Sequence, residues 1–193
     1  MKKIGITGGI GAGKSHVAKI IQAMGYPVYN SDERAKELTA VNSDIKKGLI
    51  DLFGDSIYEK GKLNKTALAK IIFSNESNRE KVNSLIHPIV RADFDQWATE
   101  QRSELVFNES ALLFETGSYK NFAAIILVHA PKDIRIERIM KRDKCTRDEV
   151  IKRMNAQLAD EEKKLLTKFQ ISNDGKSPLL MQVENVILEI LSS

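Results

Sequence analysis

The chain has 193 residues, of which 42% are hydrophobic and 29% charged, enough apolar material for one ordinary core with a modest insertion. Its 30 basic and 26 acidic residues leave a net charge of +4, a milder excess than a dedicated nucleic-acid-binding protein usually carries, and its single cysteine, Cys145, excludes an internal disulfide. Without a signal-peptide pattern or a long apolar run in the sequence, we expect a cytoplasmic protein with no membrane span.

Short apolar runs alternate with helical periodicity along the chain, which predicts a mostly parallel sheet covered by helices on both faces. The first strand, Lys3–Thr7, ends in glycines and precedes a helix that Gly25 terminates. Four more strands are predicted from β-rich runs at Tyr26–Tyr29, Leu105–Phe107, Ala124–His129 and Phe169–Ile171. A turn at Asn173–Gly175 closes the last strand and leads into a final amphipathic helix.

Residues 32–103, between the second and third strands, show only helical periodicity. They predict an inserted helical subdomain, next to the site because it leaves from the carboxyl end of a strand. Residues 134–159 predict a basic helical lid whose second helix begins at a capping box formed by Thr146 and Glu149 and carries Val150, Ile151, Met154 and Leu158. The core of this single domain would then comprise 1–31, 104–133 and 160–193.

A glycine-rich segment joins the first strand to the first helix: Gly8, Gly9, Ile10, Gly11, Ala12, Gly13, Lys14 and Ser15. It matches the G-x-x-x-x-G-K-[ST] pattern of the phosphate-binding P-loop in full and in the required context. Glycines let successive N–H groups point at phosphate oxygens, and the helix presents its positive end to them. We predict that the segment binds ATP, with Lys14 at the β and γ phosphates and the Ser15 hydroxyl as a ligand of Mg²⁺. His16 is expected to line the nucleotide site rather than bind a metal.

A P-loop alone is compatible with kinases, GTPase switches and mechanical ATPases. A GTPase is disfavoured because the sequence contains no guanine-reading Asn/Thr-Lys-x-Asp segment. The D-x-x-G match at Asp51–Gly54 does not change this, since Gly54 is better explained as a helix C-cap. A mechanical ATPase is disfavoured because 193 residues leave little room for partner contacts. A small-molecule kinase needs a carboxylate near the acceptor hydroxyl and a mobile cationic lid. Asp32, just past the second strand, is the candidate carboxylate, although Ser31 or Asp32 could equally be an N-cap.

The cationic lid is predicted from arginines on one helical face, Arg135, Arg138 and Arg142, followed by Arg153 with Gln157 four residues later. Guanidinium groups stabilise charge on a transferring phosphoryl group in a way that lysines do not reproduce. A solvated basic face would show the same spacing, and the residues alone leave both interpretations open.

Ordered motifs along nearly the whole chain resemble the dephospho-coenzyme A kinase family. They are Ile6–Ser15, Asp32 at its strand end, Leu85–Arg91, Leu112–Glu115, Arg138–Asp143, Arg153 with Gln157, and Asn173 before Gly175. The resemblance implies an α/β, three-layer P-loop kinase fold with a five-stranded parallel sheet, a helical acceptor-binding insertion and a helical lid. It also implies transfer of phosphate from ATP, with Mg²⁺, to the ribose 3′-hydroxyl of dephospho-CoA, the last step of coenzyme A synthesis.

The same resemblance implies roles for individual residues. It implies that Asp32 is the catalytic carboxylate, that Arg138 and Arg142 belong to the lid and the nucleotide side, and that Asn173 lies near the adenine. Together with Lys14 of the P-loop, Asp32, Arg138 and Arg142 are the predicted catalytic residues. The resemblance also implies that His87 and Arg91 shape the acceptor site next to Asp32. Glu115 is predicted as a further substrate-binding residue, and on the residues alone it could hold the acceptor pocket, position Mg²⁺-bound water or cap a helix. The pair His87–Pro88 would by itself be a helix-breaking surface pair.

The chain departs from the family pattern at two positions. Asn30 stands where the family often has the first aspartate of Asp-Ala-Asp, and Ala111 stands near the usual proline, so the backbone constraint of that proline is absent. The alternatives to dephospho-CoA kinase are a nucleoside or nucleotide monophosphate kinase and, more distantly, a nucleotide-gated RNA-associated binding module. We expect small-molecule substrates, no nucleic acid or membrane partner, and a monomer or weak homo-oligomer.

Overall fold

The computed structural model describes residues 1–59 and 61–193. Within them the strands are β1 (Lys2–Thr7), β2 (Val28–Asn30), β3 (Tyr58–Glu59), β4 (Lys62–Leu63), β5 (Leu105–Glu109), β6 (Ala124–His129) and β7 (Phe169–Ser172). The helices are α1 (Lys14–Ala23), α2 (Ser31–Val41), α3 (Ser43–Phe53), α4 (Lys65–Ser74), α5 (Glu76–Thr99), α6 (Lys132–Asp143), α7 (Arg147–Asn155), α8 (Asp160–Leu165) and α9 (Leu179–Ser192). The chain forms two compact units, a first unit of Met1–Asn30 with Gln101–Ser193 and a second unit of Ser31–Glu100.

The first unit is built on a parallel sheet with the strand order β2-β5-β1-β6-β7. The central strand β1 pairs with β5 on one side and β6 on the other, so that Ile4 lies opposite both Phe107 and Ala124. The prediction of five parallel strands is confirmed. All five strands end at the same edge, and that edge carries the P-loop.

Side chains of β6 alternate between the two faces of the sheet and show why both faces are apolar. Ile126 and Val128 join the buried cluster formed with α1 and α9, whereas Ile125 and Leu127 join a second cluster made by the segment after β5. A strand covered on both sides requires a near-continuous hydrophobic run, which β6 has. The P-loop therefore extends from a sheet that is buried on both faces.

The predicted lid region differs from the sequence interpretation in its second half. Helix α6 ends at the left-handed residue Lys144, and α7 begins at the predicted capping box of Thr146 and Glu149. Helix α7 ends at Asn155, so Leu158 lies beyond it, packed against the second apolar cluster. The short helix α8 was not predicted, since six residues carry too few apolar positions to show a period.

The second unit is mostly helical. Helix α5 packs against α2, α3 and α4, and its buried residues recur every four positions: Val82, Ile86, Val90, Phe94 and Ala98. Arg34 of α2 donates two hydrogen bonds of 2.9 Å to the carboxylate of Asp93 in α5, which fixes these helices against each other. Gly54, at φ +80°, follows α3 as its predicted C-cap.

Two expectations for the second unit are wrong. The insertion is not purely helical, because β3 and β4 form a small antiparallel hairpin. Strands of two residues are too short to show an alternating pattern. The pair His87–Pro88 does not break a helix either, because Pro88 lies inside α5. Proline costs α5 one backbone hydrogen bond, and the long apolar stripe around it keeps the helix continuous. Among the described residues no helix is both long enough and apolar enough to cross a membrane.

Candidate active site

The P-loop connects β1 to α1 at the carboxyl edge of the sheet. Gly13 precedes the helix in a left-handed conformation, φ +94°, and a Cβ atom there would collide with the side-chain amide of Asn173. Only glycine satisfies both conditions. The sequence context predicted for the motif, strand then loop then helix, is therefore present.

Four of the predicted nucleotide and catalytic side chains converge on one cavity of about 220 Å³. It is lined by Lys14, Ser15, Arg138 and Arg142 together with Gly11, Gly13 and Ile139. The Lys14 ammonium folds back over the loop and donates a hydrogen bond of 3.0 Å to Gly8 O. Three cations around one small space, at the positive end of a helix, favour a polyphosphate as its occupant. His16 is exposed and lines a neighbouring open cavity with Ser15 and Lys19.

Glu109, which the sequence interpretation did not place in the site, is the last residue of β5 and is buried. Its Oε1 accepts a hydrogen bond of 2.6 Å from Ser15 Oγ, and its Oε2 accepts one of 3.0 Å from Asn30 Nδ2. The departure at position 30 thus has a local explanation: an amide donates to Glu109, where an aspartate would place two carboxylates together. An acidic residue ending a buried strand beside the P-loop strand was the signal that could have identified Glu109.

Among the described residues there is no cluster of three or more His, Cys, Asp or Glu side chains that could hold a metal ion by themselves. Glu109 and Ser15 form a smaller oxygen donor set, a buried carboxylate 2.6 Å from a hydroxyl. Mg²⁺ in kinase sites is held by one or two protein oxygens plus phosphate and water, so this donor set fits Mg²⁺ and would not suit a softer metal.

Asn173 links the P-loop to the first lid helix. Its buried side chain donates a hydrogen bond of 2.9 Å to Ala12 O, and its own backbone oxygen accepts one of 3.0 Å from Arg138. The guanidinium of Arg138 also donates to Asn173 Oδ1 at 3.3 Å. One residue after β7 therefore fixes both the turn of the P-loop and the orientation of Arg138.

Arg142 lies at the end of α6 and is largely exposed, with 63% of its side chain accessible. Asp143 accepts hydrogen bonds from Arg142 Nε and from an Arg153 guanidinium nitrogen, both at 2.6 Å. These two guanidinium groups hold the pKa of Asp143 well below its usual range. The carboxylate therefore remains charged and holds Arg142, which lines the cavity, next to Arg153.

Arg135 is a correction to the predicted basic face. Only 4% of it is exposed, its guanidinium forms an ion pair with Asp160, and its Nε donates to Ile10 O at 2.9 Å. An arginine that is both buried and paired is a fixed part of the fold rather than a mobile lid cation. The i, i+3, i+7 spacing could not distinguish Arg135 from Arg138 and Arg142. Helical periodicity predicts which residues share a face of the helix, but it does not predict the residue with which each one pairs.

Glu115 contacts the segment between α7 and α8. Its Oε1 accepts a hydrogen bond of 3.1 Å from Leu158 N and lies 2.7 Å from the ammonium of Lys163. Lys163 has no exposed surface. Both contacts lie within the first unit, and the predicted substrate-binding role of Glu115 stays a prediction.

The remaining acceptor-site candidates belong to the second unit. Asp32 lies in the first turn of α2 and is exposed, and Arg91 is exposed on α5. Burial lowers the pKa of the half-buried His87, the Arg91 guanidinium lowers it further, and the Asp32 carboxylate opposes both. The structure thus brings these three residues of the same unit into electrostatic contact, with the imidazole in its neutral form near pH 7.

Comparison with known proteins identifies relatives along the chain. The family model described as dephospho-CoA kinase matches residues 2–178. A dephospho-CoA kinase of Bacteroides fragilis is 41% identical over 186 residues, which cover 96% of this chain and 91% of that one.

Two solved structures extend the comparison to three dimensions. A structure of TT1252 from Thermus thermophilus has a TM-score of 0.83 and 32% identity, covering 99% of this chain and 96% of that one. A dephospho-CoA kinase from Campylobacter jejuni has a TM-score of 0.70 and 26% identity, covering 97% and 96%. The predicted α/β P-loop kinase fold is confirmed by these neighbours.

Proposed function

The chain belongs to the dephospho-CoA kinase family, and we propose that it transfers the terminal phosphoryl group of ATP to the ribose 3′-hydroxyl of dephospho-CoA. It is a kinase of coenzyme A biosynthesis. The observation that carries the proposed residue roles is the cavity where Lys14, Ser15, Arg138 and Arg142 converge. Phosphoryl transfer is catalysed chiefly by positioning and by charge stabilisation, which such a cavity supplies.

On the donor side, the P-loop residues Gly8–Ser15 bind the phosphates of ATP through backbone N–H groups. Lys14 compensates charge on the β and γ phosphates, and Arg138 and Arg142 stabilise the charge that spreads over the transferring group. Asn173 keeps Arg138 in place and lies next to the base of the nucleotide. Asp143 holds Arg142 at the cavity and joins it to Arg153, as its hydrogen bonds with both support.

Ser15 and Glu109 are the residues that would hold Mg²⁺. When bound, the ion neutralises phosphate charge and orients the leaving oxygens. Glu109 positions the Ser15 hydroxyl through the hydrogen bond of 2.6 Å, and Asn30 keeps the second carboxylate oxygen in place. This arrangement resembles the serine and strand-end carboxylate pairing that P-loop proteins use for magnesium.

On the acceptor side, Asp32 either accepts the proton of the ribose hydroxyl of dephospho-CoA or aligns that hydroxyl for attack. The neutral imidazole of His87 offers one donor and one acceptor to the substrate, and the Arg91 guanidinium suits its phosphate groups. We further propose that small molecules are the substrates, that nucleic acid is not, and that the chain acts in the cytoplasm as a monomer or weak homo-oligomer.

The Asp32→Asn variant tests the central assignment. Because the amide can still hydrogen-bond but no longer accept a proton as a base, we expect kcat for dephospho-CoA to fall by about 10²–10⁴-fold. Affinity for ATP should stay unchanged. Formation of coenzyme A, followed by mass, measures the first quantity, and calorimetric titration with ATP measures the second.

Glu33→Gln is the matched control, an exposed carboxylate on the same helical turn. It should keep the parental kcat. If Asp32→Asn turns over at a near-parental rate with unchanged ATP affinity, Asp32 is not the catalytic carboxylate.

A further inference from the structure

Both backbone polar groups of Ile10, the third residue of the P-loop, form hydrogen bonds with side chains outside the loop. Ile10 N donates a hydrogen bond of 2.8 Å to Gln157 Oε1, and Ile10 O accepts one of 2.9 Å from Arg135 Nε. A side chain at Gly9 would collide with the guanidinium of Arg135, so the close approach of that arginine requires glycine there.

Lys14 links this part of the loop to the site of the terminal phosphate. Lys14 contacts the β and γ phosphates in proteins with this motif. Its ammonium lies 3.0 Å from Gly8 O, at the Gly8–Ile10 end of the loop. A displacement of Ile10 would therefore move the terminal phosphate more than it moves the rest of the nucleotide.

Arg135 and the segment that carries Gln157 are each fixed by an ion pair. Arg135 is buried against Asp160, at the start of α8. Gln157 lies in the short connection between α7 and α8, and the next residue, Leu158, donates its N–H to Glu115 Oε1 at 3.1 Å. The segment that carries Gln157 is thus attached to Glu115, which follows β5.

Lys163 makes this attachment strong. Its ammonium has no exposed surface and lies 2.7 Å from Glu115 Oε1, an ion pair without the alignment of a hydrogen bond. A buried ammonium deprived of its counter-charge is strongly unfavourable, so Lys163 confines Glu115 to this position. The chain of contacts Lys163, Glu115, Leu158, Gln157 and Ile10 is continuous within the first unit.

We propose that Gln157 is a positioning residue for phosphoryl transfer and that Glu115 and Lys163 act through it by fixing its segment. This rests on the proposed kinase function. It assigns Glu115 to the phosphate-donor side of the reaction, through Gln157, instead of to direct contact with the acceptor. The nucleotide's ground-state affinity depends little on Ile10, whereas the rate of transfer depends on it.

The first test replaces Gln157 by methionine, which has a similar size but no amide acceptor. We expect kcat for dephospho-CoA to fall by about 10–100-fold, the range that a small misplacement of a reacting group produces. The dissociation constant of ATP should change less than about threefold, which is under 1 kcal/mol. Gln22→Met, at an exposed glutamine near the end of α1, is the control and should leave both quantities at the parental value.

Hydrogen exchange of the Ile10 amide supplies a readout that needs no turnover. In Gln157→Met this amide loses its acceptor, and we expect its exchange to accelerate by about tenfold or more. A parent chain that fails to phosphorylate dephospho-CoA would sink the kinase function, while this exchange measurement would still report whether Gln157 holds Ile10.

The second test replaces both members of the buried pair, Glu115→Met with Lys163→Met. Exchanging a buried ion pair for apolar side chains of similar volume often leaves stability unchanged or raises it, so the double variant should fold. We expect it to reproduce the faster Ile10 exchange and the lower kcat, although neither residue contacts the P-loop in the described hydrogen bonds and ion pairs. Parental kcat and parental Ile10 exchange in either the single or the double variant overturn the proposal.

Discussion

At the scale of single residues, the Ser15 hydroxyl in the first turn of α1 and the Glu109 carboxylate at the end of β5 form the proposed metal side of the site. Glu109 is nearly fully buried, and a buried carboxylate without hydrogen-bond donors would be costly. Ser15 and Asn30 supply such donors, one to each carboxylate oxygen. The pairing keeps a negative charge available where magnesium-bound phosphates would arrive.

Glu109→Gln tests this reading by removing the charge while retaining the shape. We expect the Mg²⁺ concentration for half-maximal activity to rise by about 10–100-fold, the usual cost of losing a residue that supports a metal ligand. Titration of the transfer rate with Mg²⁺ at fixed ATP measures it. Glu104→Gln, at an exposed carboxylate just before β5, should leave the titration unchanged. An identical midpoint for Glu109→Gln and the parent would remove Glu109 from the metal site.

Single residues also show where sequence reasoning reaches its limit. Lys14 and Ser15 could be predicted because their motif fixes both the residue types and the backbone around them. The role of Lys163 could not, because it depends on Glu115, 48 positions away in the chain. Glu109 could have been noticed as an acidic residue at a strand end, but its pairing with Ser15, 94 positions away, could not be predicted. A local pattern records which residues share a face and contains no information on which distant side chain they meet.

At the scale of elements, α6 carries arginines with different roles on one face. Arg135, near its beginning, is buried against Asp160, and Arg142, near its end, is 63% exposed at the cavity rim. The difference arises because the amino-terminal half of α6 lies against the P-loop and α8, whereas its last turn leaves the core. Periodicity predicted the helix correctly and did not predict this division.

Arg142→Ala should therefore affect catalysis far more than folding. Losing a guanidinium that stabilises the transferring phosphoryl group is expected to lower kcat/KM by at least about 100-fold. The melting temperature should move by no more than roughly 2 °C, since an exposed ion pair contributes little to stability. Lys141→Ala, at the neighbouring exposed position, is the control for helix propensity. A loss of stability in proportion to activity would show that Arg142 has a structural role instead.

The elements of the second unit were predictable to different degrees. Helices α3, α4 and α5 lie within residues 32–103, for which helical periodicity was predicted, and α5 packs its apolar side against α3 and α4. The hairpin of β3 and β4 was missed because two-residue strands have no period. Pro88 misled the prediction because its local cost is outweighed by packing along a 24-residue helix.

At the scale of the whole molecule, the alternation of apolar runs and helical stretches was enough to predict five parallel strands. It did not give the order β2-β5-β1-β6-β7. That order places β5 beside β1 and thereby brings Glu109 to Ser15. Strand order depends on long-range contacts, so the contacts at the carboxyl edge that follow from it were also beyond the sequence.

Stability of the whole molecule should depend on pH through two half-buried histidines. Burial lowers the pKa of His87, with help from Arg91 and against Asp32. Burial also lowers the pKa of His129, with help from Lys164 and against the acidic groups Asp160, Glu161 and Asp174. Each histidine is therefore more easily protonated in the unfolded chain than in the folded one.

The sign of the effect follows from proton linkage. In the window between the lowered folded pKa and the ordinary histidine value of about 6.5, the unfolded state binds more protons, so acidification favours unfolding. The free energy of unfolding is at its full value above about pH 7 and falls as the pH is lowered through this window. Asp174, whose pKa is lowered to about 2, loses its own contribution only in more acidic solution.

Urea unfolding of the parent at pH 7.5 and 5.5 measures the effect, with a lower free energy of unfolding expected at pH 5.5. His87→Gln and His129→Gln should each reduce the difference between the two pH values, because glutamine keeps a polar side chain that does not titrate. The double variant should show the smallest difference of all. A parent whose stability is unchanged or higher at pH 5.5 would contradict the assignment, since a buried histidine that protonates only in the unfolded chain can act in one direction alone.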